Sequence, residues 1–210
     1  MSLHALAFGL GYTGATLGVA MVVPQIIRIV RHPSLTGVSP LSWSLSMFGC
    51  LAWLTYGLRT GAAPQIPGNI LLAAGATVCV LLINSPMPRG RRGALLLLGA
   101  AVLLATVWII PAESVGYLGM VIGLSSMWPQ LYDTVGNFRG HTLSAVSLQT
   151  YGLRVASQIC WLSYAVGTHD MPVGAGASLA LVIAGTTLGL EAAARFSRPS
   201  SYARLTTAEA

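Results

Sequence analysis

Apolar residues fill this chain in seven long runs, near residues 5–29, 41–58, 65–83, 94–110, 115–135, 147–166 and 172–191, and polar residues gather in the short stretches between them. A helix needs roughly 17 to 25 mostly apolar residues to cross a bilayer, so each run predicts a transmembrane helix. The runs are continuous rather than alternating, and Gly or Pro marks their ends. That pattern argues against the strands of a membrane barrel. The expected fold is an all-α membrane protein of seven transmembrane helices.

The runs are not independent of one another. Val23-Pro24-Gln25-Ile26 is followed by Val38-Ser39, Trp53 and Tyr56, and Trp128-Pro129-Gln130-Leu131 by Val146-Ser147, Trp161 and Tyr164. From Val38 onward the two copies keep an offset of 108 residues, as Pro64 and Pro172 also show, whereas the motif prolines are 105 apart. The second copy therefore carries three extra residues, expected in a loop around Gly136 to Gly140. Three spans per copy is an odd number, so a direct fusion would insert the second copy upside down. The fourth run, with Leu95-Leu96-Leu97-Leu98 and almost no polar group, restores a parallel arrangement as a lipid-facing linker. The expected division is 1–85 for the first three-helix repeat and 86–112 for an arginine loop and linker helix. Residues 113–192 then form the second repeat and 193–210 a cytoplasmic tail. Internal repeats in membrane proteins place a site between the halves.

Composition agrees with burial in lipid. Of 210 residues, 54% are hydrophobic and 8% charged, and the mean hydropathy is +0.72. All 11 basic residues are arginine, which together with abundant Gly and Ala suggests a GC-rich bacterial genome. The arginines form no aromatic-interleaved stripe, so the pI near 9.7 does not point to nucleic acid. With the N-terminus outside, nine arginines (Arg28, Arg31, Arg89, Arg91, Arg92, Arg139, Arg195, Arg198 and Arg204) fall inside and only Arg59 outside, as the positive-inside rule requires. No Lys or Arg precedes the first apolar run, which argues against a cleaved leader. Cys50, Cys79 and Cys160 lie within apolar runs without metal-ligand spacing, and they read as core residues.

Pro-Gln ending a first span, a short basic loop closing in Val-Ser, and a second span with Trp and Tyr three apart resemble the PQ-loop superfamily, in both halves of the chain. Within it, the three-one-three plan resembles SWEET sugar transporters, and each half a bacterial SemiSWEET. The resemblance implies a pocket lined by a Trp on the second helix of a repeat and an Asn sixteen residues later. Trp53 and Asn69 have that spacing; Trp161 is present in the second repeat, but Ala177 stands at the Asn position. The wider superfamily includes cystinosin-like exporters of amino acids and the KDEL receptor, which leaves an amino acid or organic anion carrier, or a non-transporting sorting receptor, as alternatives to a sugar carrier.

Several residues carry chemistry of their own. Proline inside a helix removes a hydrogen bond, so Pro24 and Pro129 are expected to free the carbonyls of Ala20 and Ser125 and to act as hinges, with Gln25 and Gln130 bonding the freed groups or a neighbouring helix. Arg154 interrupts the sixth run, and a guanidinium at that depth must face protein or water. Gln158 and Trp161 follow at helical spacing on the same face. Arg154 is open to three readings: a gate paired with Asp133, a ligand for an anionic solute, or a snorkelling side chain. Glu191 reads as a solvated residue at the end of the seventh span. No clear carboxylate lies within a span and the histidines sit at span ends or in loops, which favours uniport, or a solute that brings its own charge, over proton coupling.

No nucleophile and base, metal cluster or phosphate loop is present, so neither enzyme nor cofactor is expected. The expected function is alternating-access transport of a small polar solute, with Trp53, Asn69, Trp161, Gln158 and Arg154 as solute contacts. The partners are that solute and the lipid bilayer, and assembly into a homo-oligomer stays open.

Overall fold

The structure, a computed structural model, describes residues 3–31, 40–83, 86–140 and 148–197. Among them seven helices follow one another and no strand occurs: α1 (Leu3–Arg31), α2 (Pro40–Thr60), α3 (Gln65–Leu82), α4 (Arg89–Ile109), α5 (Ala112–Arg139), α6 (Leu148–Thr168) and α7 (Met171–Ser197). The two Val-Ser pairs and the tail from Arg198 lie outside the described residues. So do the side chains of Pro24 and Gln25, whose backbone continues α1.

On length and composition alone, α1, α3, α4 and α7 are apolar enough to cross a bilayer. The sequence predicts seven such spans. The other three helices fall short because they carry polar residues such as Ser46, Ser126, Arg154 and Gln158, which a membrane bundle tolerates where they face its interior.

Helix α1 packs on α3 and α6, α2 on α3 and α5, and α7 on α5 and α6. These pairings close a ring in the order α1, α3, α2, α5, α7, α6. Each repeat supplies three consecutive members of it. The α1–α6 and α5–α2 seams correspond to each other under the repeat register, so the halves are related by a pseudo-twofold axis through the centre of the ring. Small residues bring these seams close. Ser157 Oγ donates to the Gly14 carbonyl at 2.8 Å across one of them, and Gly49 meets the Gly123 backbone across the other, with only 3.4 Å left for a Cβ.

Helix α4 lies outside the ring, against α2 and α3 and, more lightly, α5. Two arginines pin it to the first repeat. Arg59, on α2, donates to the carbonyls of Val107 and Ile110 at the end of α4, with its guanidinium 5.8 Å from the Trp108 ring centre. Arg92, on α4, donates to Val80 and Ile83 at the end of α3. Both satisfy helix-end carbonyls that would otherwise lack donors. This corrects the expectation that Arg92 belongs to a basic loop: it is 7% exposed, and α4 begins at Arg89, ahead of its apolar run.

Two further boundaries differ from the sequence pattern for a similar reason. The extra residues of the second repeat extend α5 rather than a loop, with Gly140 N–H bonding the Gly136 carbonyl at 2.8 Å. Helix α7 runs on to Ser197, so Glu191 is not a solvated end residue. It is 2% exposed, packed into the bundle because the helix continues well past the apolar run.

Candidate functional site

The ring encloses a cavity of about 210 Å³ on the pseudo-twofold axis. Trp53 and Trp161 sit about 10 Å from the C-terminal ends of α2 and α6 at 1.5 Å per residue, and both line it, together with Asn69 and Gln158. Four of the five expected solute contacts thus meet in one space. Each indole lies against the first helix of the other repeat. A Cβ on Gly14 would come within 3.2 Å of the Trp161 ring, and one on Gly119 within 3.2 Å of Trp53. Gly14 and Gly119 are 105 residues apart, in the register of the motif prolines. The glycines are therefore what allows a tryptophan at this depth to lie flat beside a neighbouring backbone.

Arg154 does not line the cavity. Side chains on a helix lean toward its N-terminus, and the Arg154 guanidinium reaches back over the Tyr151 ring, 5.5 Å from its centre. Its Nε has no hydrogen-bond partner among the described residues. Asp133 is exposed on α5, and α5 and α6 do not touch among the described residues; the structure does not bring the expected pair together. Pro129 lies inside an unbroken α5, where the Ser125 and Ser126 hydroxyls bond the carbonyls of Val121 and Gly123. Gln130 is half-buried just beyond it.

The walls of the cavity are unlike one another. Helix α3 contributes Gln65, Gly68 and Asn69, whereas the corresponding face of α7 contributes Val173, Gly176 and Ala177. Gln158 on α6 extends the polar side around α1, and Met120, Leu124 and Met127 of α5 extend the apolar side around α7. Asn69 Nδ2 donates to the Gln65 carbonyl at 2.7 Å, on its own helix.

One end of the ring, where α1 begins and α2 and α6 finish, is closed over the cavity. Gly11 faces Pro64 and Tyr164, and Gly116 faces Pro172 and Tyr56, so closely that a Cβ would lie 2.8 and 2.6 Å from its nearest neighbour. Each Trp–Tyr pair is edge-on, with 5.7 Å between ring centres, in both repeats. The Tyr56 hydroxyl donates to Asp170 Oδ1 at 2.7 Å. The same oxygen accepts the Val173 N–H at 3.1 Å, capping α7. The turn that presents Asp170 passes through His169 at φ 56°, where the first repeat has Gly61 at φ 73°. The first repeat carries Ala62 in place of Asp170, so this latch exists once.

Sequence reasoning misses Gln65, Asp170 and the glycines. The glycines were detectable, since Gly11, Gly14 and Gly18 recur at offset 105 as Gly116, Gly119 and Gly123.

Comparison with known proteins agrees with this architecture. The PQ loop repeat family matches residues 6–66. The sugar transporter SemiSWEET of Bradyrhizobium diazoefficiens is 33% identical over 75 residues, which make up 34% of this chain and 87% of that protein. The structure of a eukaryotic SWEET transporter at 3.7 Å aligns with a TM-score of 0.77 and 20% identity, over 91% of this chain and 98% of the other. A duplicated Pro-Gln motif, a ring of two three-helix repeats and a relative matched over most of its length place this multi-pass membrane protein in the PQ-loop family, with the SemiSWEET proteins.

Proposed function

We propose that this chain is a facilitative carrier of a small polar solute, a sugar in the first instance, and that it works by alternating access. The observation that carries the reading is the cavity on the pseudo-twofold axis, built from both repeats and closed at one end by a hydrogen-bonded latch. A carrier rocks two halves about such a site. Paired aromatic faces with amides beside them suit a hydroxylated ring, which presents C–H faces and a polar edge. A volume of about 210 Å³ lies below the roughly 300–1,000 Å³ of sites for drug-sized ligands, which favours a monosaccharide over a larger sugar.

The arginines support an orientation. Arg31, Arg89, Arg91, Arg139 and Arg195 lie at the end opposite the latch, and Arg59 at the latched end. By the positive-inside rule the latched end is outside and the cavity belongs to a state closed to the exterior. Pro24 and Pro129 lie toward the inner ends of α1 and α5, where they would act as the joints at which those helices bend. The position of Arg154 outside the cavity speaks against an anion as the solute.

Uptake of labelled glucose, neutral amino acids and organic anions into proteoliposomes tests this. Saturable glucose flux in both directions without an imposed ion gradient is expected. Flux of amino acids or anions alone would replace the sugar reading, and absence of flux for every solute would point to a receptor.

A further inference from the structure

Gln65 is 3% exposed and lines the cavity, yet its Nε2 has no hydrogen-bond partner among the described residues. A buried amide donor without an acceptor has lost its hydration and gained nothing in return. Native interiors pair such groups with few exceptions, so an unpaired donor on a residue that lines a binding cavity points to a ligand atom as the partner once the side chain turns toward the solute. One turn further on, Asn69 commits one of its two amide N–H donors to the Gln65 carbonyl, on its own helix. Gln65 differs in that its amide nitrogen is buried with no partner for either N–H among the described residues.

The surroundings are built for this side chain. Gly57 on α2 faces it, and a Cβ there would lie 3.1 Å from the Gln65 Cβ. In the second repeat the corresponding two residues are Ala165 and Val173. Gly with Gln has become Ala with Val, so the room and the amide go together. Helices α3 and α7 stand opposite each other in the ring, which sets the amide across the cavity from an apolar wall.

We propose that Gln65 is a specificity-determining residue of the carrier: its side-chain amide donates a hydrogen bond to one hydroxyl of the solute and so fixes which edge of a sugar faces α3. This rests on the transport reading. The bond selects for one oxygen, and removing either that oxygen or the amide has the same effect.

The test uses the full chain in lipid nanodiscs with D-glucose and its monodeoxy analogues. Binding is read by the fluorescence of Trp53 and Trp161 and checked by uptake into proteoliposomes. In the unmodified protein, loss of one particular hydroxyl weakens binding by roughly three- to tenfold. Gln65→Met keeps the length of the side chain without its polar atoms. It is expected to weaken glucose by a similar factor and to abolish discrimination against that one analogue, leaving the rest of the profile intact, as coupling in a double-mutant cycle requires. If Gln65→Met does not fold, Gln65→Leu, likewise without polar atoms, reads the same pattern. An unaltered affinity and analogue profile overturns the assignment of Gln65 alone, as does a uniform loss across all analogues. A wild-type protein that neither binds nor carries glucose overturns the sugar reading and this proposal with it.

Discussion

The Tyr56–Asp170 latch makes a quantitative prediction about the closed end of the cavity. Tyr56→Phe deletes one hydroxyl and leaves the ring, with its edge-on contact to Trp53, in place. Hydrogen bonds to charged groups contribute about 1.5–3 kcal/mol. Asp170 keeps the Val173 N–H and gains water when the end opens, so we take about 1–2 kcal/mol as the loss. That is a factor of roughly 5–30 in the equilibrium between closed and open forms. Leu58 and Val166 are equivalent positions on α2 and α6, 55% and 69% exposed, on helices that lie across the ring from each other. Spin labels on Leu58→Cys and Val166→Cys, with Cys50, Cys79 and Cys160 replaced by alanine, report the opening as a distance distribution. Tyr56→Phe is expected to move population to the longer distance. Tyr164→Phe, whose ring is placed alike but whose matching acid position is Ala62, is expected to move it less. Identical distributions for Tyr56→Phe and the unmodified pair would refute the latch.

Other expectations follow from the same contacts. Trp53→Ala and Trp161→Ala should each abolish glucose uptake with expression retained, and wild-type rates in either would remove that indole from the site. Gly116→Ala places a methyl 2.6 Å from Pro172 and should open the latched end or lower the unfolding temperature. Gly9→Ala, with nothing within 4 Å, should do neither. Arg92→Met leaves the Val80 and Ile83 carbonyls without their charged donor and should cost about 1.5–3 kcal/mol in detergent thermal unfolding, against no change for the exposed Arg91→Met. A Pro24→Ala, Pro129→Ala double variant should lose flux without losing expression if the prolines are joints; unaltered flux would remove them from the mechanism.

The part of the molecule legible in the sequence is the part that the duplication wrote twice. Seven helices, their parallel three-one-three order and the two tryptophans follow from apolar runs and a repeat register. The place of Asn69 in the pocket is what the family resemblance implies, and Gln158 shares a helix face with Trp161 that the same resemblance assigns to the pore. Helix ends were less legible because side chains rather than hydropathy set them: Arg92 extends α4 by bonding the end of α3, and α7 carries Glu191 into the bundle past its last apolar run. Arg154 lies within α6, as its apolar surroundings in the sequence imply, and the lean of a helical side chain toward the N-terminus carries its guanidinium to Tyr151 instead of the cavity. Asp170 required the conformation of a short turn, in which a left-handed His169 delivers a carboxylate both to the start of α7 and to Tyr56.

Gln65 carries no mark of the duplication. A search by internal symmetry keeps what both repeats share, and Gln65 has Val173 as its counterpart. The same holds for Asn69 with Ala177, Gln158 with Cys50 and Asp170 with Ala62. What the halves share is a framework: Gly against Tyr and Pro at the closed end, Gly beside Trp in the cavity, and Pro-Gln toward the other end. What they do not share are the groups that form directional hydrogen bonds. A solute without twofold symmetry cannot satisfy two identical walls at once, so a fused carrier is free to turn one wall polar and the other apolar. Restoring symmetry tests that idea directly. Val173→Gln with Ala165→Gly would rebuild the amide on the apolar wall, and it should broaden selectivity among the monodeoxy sugars while leaving the Leu58–Val166 distances unchanged.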